Sequence, residues 1–290
     1  MFYTLLGVQL LIIAENLIYI QLQKTGCTFV EKVLREIFDV KKIGKHTYLD
    51  PDGNVRIISN DRKIGRVSNI KDKLVIGSVR NPWRWYVSLW AFGCQNKGAI
   101  KERLTTRRIW PLLGIVKCEV HTWPARLYEP IKPIKTFKPL YEDCQNKQNF
   151  GKWLKLLLGS KYDKALWEGY WRSPVNDFAG LMTHRYCKLH IPGFPSAKID
   201  NLQKLKEFDK KHNILDYTIR TENIKTDLKE ALRLAGYDKA AKKIDEITSK
   251  KINPSKHKDP SYYYTENLNR LVKEKEQFLI DKYNYSPIKQ

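Results

Sequence analysis

The chain has 290 residues, 42% hydrophobic and 12% aromatic, enough to bury a core and to exclude a chain that stays disordered. Its 53 Lys and Arg against 31 Asp and Glu leave a formal charge of +22, which suits polyanions: a nucleotide with several phosphates, an acidic glycan, a membrane face or nucleic acid. Five cysteines at wide spacings, with no CxxC pair, argue against a zinc site and a disulfide framework, and point to a reducing, cytoplasmic compartment.

Met1 to Ala14 is mostly apolar but shorter than the ~20 residues a membrane span needs, and no Lys or Arg precedes it. It reads as a first strand or packed leader, with membrane association through residues 1–14 as the lesser alternative. No membrane span is expected. Leu17 to Leu22 (LIYIQL) is a β-rich run and Gln23 to Thr28 (QKTGCT) a turn. Phe29, Val30, Val33, Leu34, Ile37 and Phe38 then share one face of a helix. Strand, glycine-containing loop and amphipathic helix make the opening of a nucleotide-binding α/β fold.

Lys41 to Lys73 is polar and punctuated by glycine, which predicts loops and a hairpin. Leu74 to Val79 (LVIGSV) is a second buried-type strand. Asn81 can cap the helix that follows, with Pro82 at its first position and Trp83, Trp85 and Trp90 in the core. Residues 94–145 hold Pro111, Pro124, Pro130, Pro133 and Pro139 without a sustained period, which predicts an irregular insertion. Phe150 to Leu158 marks a helix ending near Gly159, and Leu215 to Ile219 a strand. Leu228 to Ala235 marks a helix closed by Gly236, and a last helix spans about Thr265 to Lys282. The alternation predicts an α/β fold with a P-loop-like central parallel sheet flanked by helices. It forms a single domain over 1–290 with an insertion at about 94–145.

Two segments carry chemistry. In Gln23-Lys24-Thr25-Gly26-Cys27-Thr28-Phe29 a loop between strand and helix aims backbone N–H groups and the helix dipole at one point, an anion site. Gly26 allows close backbone approach, Lys24 supplies a charge, and Thr25 and Thr28 supply hydroxyls. The spacing is not that of a Walker A loop. The second segment is Arg80-Asn81-Pro82 with Ser88. An arginine at the carboxyl end of a parallel strand faces the ligand crevice of such folds, and its planar fork suits a phosphate.

Together these segments resemble the donor-binding signature of the sulfotransferase superfamily. There a K-[ST]-G-[TSG]-[TS] loop holds the 5′-phosphosulfate of 3′-phosphoadenosine 5′-phosphosulfate (PAPS), and an R-x7-S pair holds the 3′-phosphate. Asp216 to Ile224 (DYTIRTENI) is similar to the family's late strand and R-x-E-[ND]-[LI] turn. Asn253-Pro254-Ser255-Lys256 resembles the N-x-S-[KR] segment of bacterial and carbohydrate-type members, and Ile280 to Tyr285 resembles their chain end. The resemblance implies PAPS as donor and adenosine 3′,5′-bisphosphate as product, with no metal. It implies Lys24, Thr25, Gly26, Cys27, Thr28 and Phe29 at the phosphosulfate, Arg80 and Ser88 at the 3′-phosphate, and Ser255 and Lys256 assisting. Cys27 departs from the usual Gly, Thr or Ser. A thiol at a helix N-terminus is expected to have a lowered pKa.

Sulfuryl transfer needs a base for the acceptor hydroxyl. His46, between the two donor segments, is the candidate, as in carbohydrate-type members, with Glu31 and Glu36 as rivals. Lys24 would stabilise the leaving phosphate. The resemblance tilts the acceptor to a sugar hydroxyl and gives no reason to expect nucleic acid as partner. The alternatives are a P-loop kinase-like phosphotransferase and a basic, non-catalytic nucleic-acid-binding protein.

Overall fold

The computed structural model describes residues 11–38, 41–43, 47–49, 54–58, 64–69, 72–107, 127–247 and 257–288. The strands are β1 (Leu11–Ile13), β2 (Leu17–Ile20), β3 (Lys41–Ile43), β4 (Thr47–Leu49), β5 (Asn54–Ile58), β6 (Ile64–Asn69), β7 (Leu74–Val79) and β8 (Tyr217–Arg220). The longer helices are α1 (Cys27–Ile37), α2 (Pro82–Cys94), α3 (Ala99–Thr105), α4 (Lys147–Leu158) and α5 (Leu181–His190). They continue as α6 (Leu202–His212), α7 (Ile224–Leu234), α8 (Asp238–Ile247), α9 (Glu266–Lys275) and α10 (Gln277–Tyr283). The chain is α/β and divides into two compact units. The first comprises Met1–Asn81, Arg185–Ile199 and Gln203–Pro254, and the second Pro82–His184, Asp200–Leu202 and Ser255–Gln290.

The first unit is built on a five-stranded sheet of order β3-β1-β2-β7-β8. β2 pairs parallel with β7, Ile20 opposite Gly77, and β7 pairs parallel with β8, Ile76 opposite Tyr217. The sheet is mixed rather than wholly parallel. Only Ala14, Glu15 and Asn16 join β1 to β2, closed by the Ala14 amide on the Leu17 carbonyl at 2.8 Å. So short a connection permits only an antiparallel pair, since a parallel crossover needs a dozen residues or so. β3 adds antiparallel to β1. The hairpin expected within 41–73 is a three-stranded antiparallel sheet, β4-β5-β6.

Strand alternation sorts the core. Leu17 and Tyr19 of β2 point to one face with Ile76 and Ile219, against Val30, Val33 and Leu34 of α1, Leu228, Ala231 and Leu232 of α7, and Ile244 of α8. Ile18 and Ile20 point to the other face with Leu11 and Val75, against Leu189 of α5 and Ile214 and Leu215. Each face is therefore covered, and β2 and β7 read as continuous apolar runs for that reason. Gly236, at φ 83, closes α7 as expected: its amide reaches the Arg233 carbonyl at 2.9 Å and the next amide reaches Leu232 at 2.8 Å.

The second unit is helical and aromatic. Trp83, Trp85 and Trp90 of α2 are fully buried. Trp90 packs edge-on to Phe150 of α4 and to Tyr263, and its Nε1 donates to the Leu140 carbonyl at 3.0 Å. The single last helix expected over 265–282 is two helices, broken at Glu276. The Glu276 side chain is fully buried and accepts from the amides of Met182 (3.1 Å) and Thr183 (2.9 Å), from Thr183 Oγ1 (2.6 Å) and from the Tyr86 hydroxyl. The buried Glu276 carboxylate thereby caps the first turn of α5.

Candidate functional site

At the carboxyl ends of β2, β7 and β8 three turns meet within the first unit. The first is residues 21–26, between β2 and α1. Here Lys24 takes a left-handed backbone (φ 69), as does Gly26 (φ 81). Gly26 is required on two counts: L side chains avoid that φ, and a Cβ there would collide with Ile224 Cδ1 at the start of α7. α1 begins at Cys27 with no side-chain cap, the Gly26 carbonyl accepting from Phe29 (2.9 Å) and Val30 (3.2 Å). The first-turn amides and the dipole of α1 thus face the mouth of the loop.

The second turn follows β7. Arg80 Nη1 donates to the carbonyl of Lys24 at 3.2 Å, tying it to the loop. The Asn81 amide donates to Glu222 Oε1 at 2.9 Å, and Thr221 Oγ1 to the Val79 carbonyl at 2.8 Å. These two bonds fasten the third turn, Thr221–Asn223, to the second. Arg185 of α5, 5% exposed, reaches Gln23 Oε1 at 3.5 Å from the other side of the loop. Two guanidinium groups and one ammonium therefore belong to a segment of a few residues, the electrostatic setting an anionic ligand needs.

The residues singled out in the sequence divide into groups. Lys24, Gly26, Cys27 and Arg80 come together as expected, with Thr28 exposed and Phe29 half-buried against the core beneath. Thr25 is turned inward. Its hydroxyl, fully buried, bonds the Leu22 carbonyl and Ser78 Oγ, each at 2.6 Å, and Ser78 bonds the Tyr19 hydroxyl at 2.8 Å. That chain of hydroxyls pins the loop to β7, and only the Thr25 backbone is left to face a ligand. The thiol of Cys27 also departs from expectation: burial pushes its pKa up, outweighing the amides of Lys24 and Thr28 that act against it. Helix position alone does not activate a half-buried sulfur.

Ser88 lies in the second unit, 1% exposed on α2. Glu31 and Glu36 are on α1, paired i,i+4 with Arg35 at 3.1 Å and Lys32 at 3.7 Å. His46, Ser255 and Lys256 lie outside the described residues. Arg185 and Ser78 were missed in the sequence. Ser78 left a signal, a hydroxyl within an otherwise apolar buried strand, whereas Arg185 left none because the fold brings it back across more than half the chain. Glu222, noted only within a resembling turn, proves to be the acceptor that holds the turn after β7.

Among the described residues there is no group of His, Cys, Asp and Glu able to hold a metal ion, and no helix long and apolar enough to cross a membrane. Compared with protein-family models, with curated proteins and with solved structures, the chain matches none of them.

Proposed function

We propose that the chain is a PAPS-dependent sulfotransferase acting on a hydroxyl, probed first through its donor site. The observation that supports this most is the Arg80–Lys24 bond, which ties two anion-ready segments together at the carboxyl ends of adjacent parallel strands. In this reading the 5′-phosphosulfate lies on the loop 24–29 at the start of α1, and Arg80 serves the 3′-phosphate. An acceptor oxygen attacks sulfur in line with the bridging oxygen. The S–O bond to the phosphate breaks, and the charge that grows on the departing phosphate is met by Lys24 and the loop amides. The acceptor proton passes to a base, His46 in this proposal. A sugar hydroxyl is the proposed acceptor, on the resemblance of residues 253–256 to carbohydrate-type members. A reducing, cytoplasmic setting accords with the odd, widely spaced cysteines.

The test is binding of adenosine 3′,5′-bisphosphate, ATP–magnesium and an oligonucleotide in parallel by thermal shift and calorimetry. The donor reading expects strong stabilisation by the bisphosphate and little by the other two. Stabilisation by ATP–magnesium instead would replace it with a phosphotransferase, and by the oligonucleotide alone with a nucleic-acid binder.

A further inference from the structure

Within the second unit, the end of α2 and the turn before α4 run side by side, each with a cysteine. Trp90 and Cys94 lie one turn apart on the same side of α2. Trp90 Nε1 donates to the Leu140 carbonyl at 3.0 Å, and the Tyr141 ring lies so close to Gly93 that a Cβ there would collide with it. Tyr141 is fixed in turn by Trp153 Nε1, which donates to its hydroxyl at 2.5 Å. Tyr263 spans both segments. Its ring packs edge-on to Trp90, centroids 5.6 Å apart, and its hydroxyl donates to the Cys144 carbonyl at 2.7 Å. Residues 140–144 are therefore held along the last turn of α2, with Cys144 brought to the side that carries Cys94.

Both cysteines are half-buried, and neither is in a disulfide. Burial pushes the Cys94 thiol up to about 12, and the charge of Cys144 adds to this more than that of Asp143 beside it. Charge repulsion falls with distance, so the Cys144 sulfur stands nearer to Cys94 than that carboxylate does. The thiols face each other, and not merely their backbones.

We propose that Cys94 and Cys144 are a reversible thiol–disulfide pair, oxidised by a low-molecular-weight disulfide and joining the end of α2 to the turn before α4. The Cys144 thiolate attacks one sulfur of the oxidant and expels the other half as a thiolate, leaving a mixed disulfide on Cys144. The Cys144 charge is then gone, and with it part of what holds the proton on Cys94. Cys94 gives that proton to water, attacks Cys144 Sγ and expels the second half of the oxidant. Two electrons pass from the protein thiols to the oxidant, which leaves as two thiols. The order follows from the surroundings: burial keeps Cys94 protonated, so Cys144 attacks first, and Cys94, held beside the mixed disulfide, resolves it by proximity. A reducing compartment permits such a pair as a transient bond, though not as a framework. The chemistry involves neither donor nor acceptor, so it stands or falls apart from the sulfotransferase reading.

The test equilibrates the full chain, without oxygen, in buffers of varied oxidised-to-reduced glutathione ratio, followed by acid quenching, alkylation and peptide mapping. A link between the peptides holding Cys94 and Cys144 should form reversibly, with Cys27 and Cys187 still alkylated after unfolding. Oxidation should raise the melting temperature by roughly 5 °C, since the bond closes a long loop, and dithiothreitol should undo the rise. Cys94→Ala should trap glutathione on Cys144, whereas Cys144→Ala should load Cys94 about tenfold more slowly. Should either variant misfold, mapping of the wild type decides, with the same chain in denaturant as the control for proximity. No link at excess oxidised glutathione, a link to another cysteine, a link that forms as readily in denaturant, or equal loading of the two folded variants would overturn the proposal.

Discussion

Arg80, the first residue beyond β7, donates from Nη1 to the carbonyl of Lys24 in the loop that follows β2. The bond crosses from one parallel strand's end to its neighbour's, so the residue expected to bind a phosphate also braces the loop expected to bind the phosphosulfate.

For Arg80 this means two losses from one substitution. Arg80→Ala should weaken adenosine 3′,5′-bisphosphate binding by ~1.5–3 kcal/mol, the worth of a charge-assisted contact, and Arg80→Lys should recover little because one ammonium cannot serve both partners. Calorimetric titration of the three proteins reads this directly. Unchanged affinity in Arg80→Ala would remove the phosphate from this position.

Lys24 separates chemistry from binding. Its left-handed φ of 69 suits glycine better than any L residue, so Lys24→Gly deletes the ammonium without straining the loop and should leave stability unchanged or raise it by up to ~1 kcal/mol. Turnover should fall far more than affinity for the bisphosphate, because charge on the bridging oxygen grows only in the transition state. Equal losses in kcat and in bisphosphate affinity would make Lys24 a binding residue alone.

Gly26 meets a steric limit. Gly26→Ala must adopt a φ near 81 and displace Ile224 Cδ1, and should destabilise by ~1–3 kcal/mol. Adding Ile224→Ala relieves the collision but not the φ, so the double variant should recover part of what Gly26→Ala loses relative to Ile224→Ala. A denaturant-unfolding double-mutant cycle measures the coupling, and strict additivity would mean that the contact with Ile224 does not matter.

Thr25 tests whether its side chain faces the ligand or the core. Thr25→Val keeps the shape but removes the hydroxyl from the chain linking Tyr19, Ser78 and the Leu22 carbonyl, and should cost ~1–3 kcal/mol of stability. Bisphosphate affinity should stay within about twofold at temperatures where the variant is folded. A large loss of affinity with unchanged stability would return the hydroxyl to the ligand.

Glu276 makes the second unit sensitive to pH. Burial raises its pKa to about 7, against the hydrogen bonds from Thr183, Tyr86 and the Met182 amide that favour the anion. The unfolded carboxyl titrates near 4.5, so between the two values the folded chain holds a proton the unfolded chain has lost. Stability therefore falls as pH rises through that window, by on the order of 3 kcal/mol at most. Unfolding at pH 5 and pH 8 should show this decline, and Glu276→Gln should lose the Glu276 share of it while being less stable at pH 5. An identical pH dependence in both proteins would exclude Glu276 as its source.

Elements governed by local chemistry are legible from the residues alone. The apolar runs at β2 and β7, the one-sided face of α1, Pro82 opening α2 and Gly236 closing α7 follow from periodicity and backbone preference over a few residues. The loop after β2 and the arginine after β7 were legible for the same reason. Features that depend on distant neighbours emerge only in the folded chain. A three-residue connection makes the β1 edge antiparallel, and Glu276, at the break between α9 and α10, caps a helix start almost a hundred residues away. The Thr25 hydroxyl faces inward because Ser78 and Tyr19 wait there. Arg185 joins the loop because α5 packs Leu189 on the sheet, an arrangement no spacing in the chain encodes. Side-chain direction is set by whichever buried polar group must be satisfied, and that group is known only once the strands have paired.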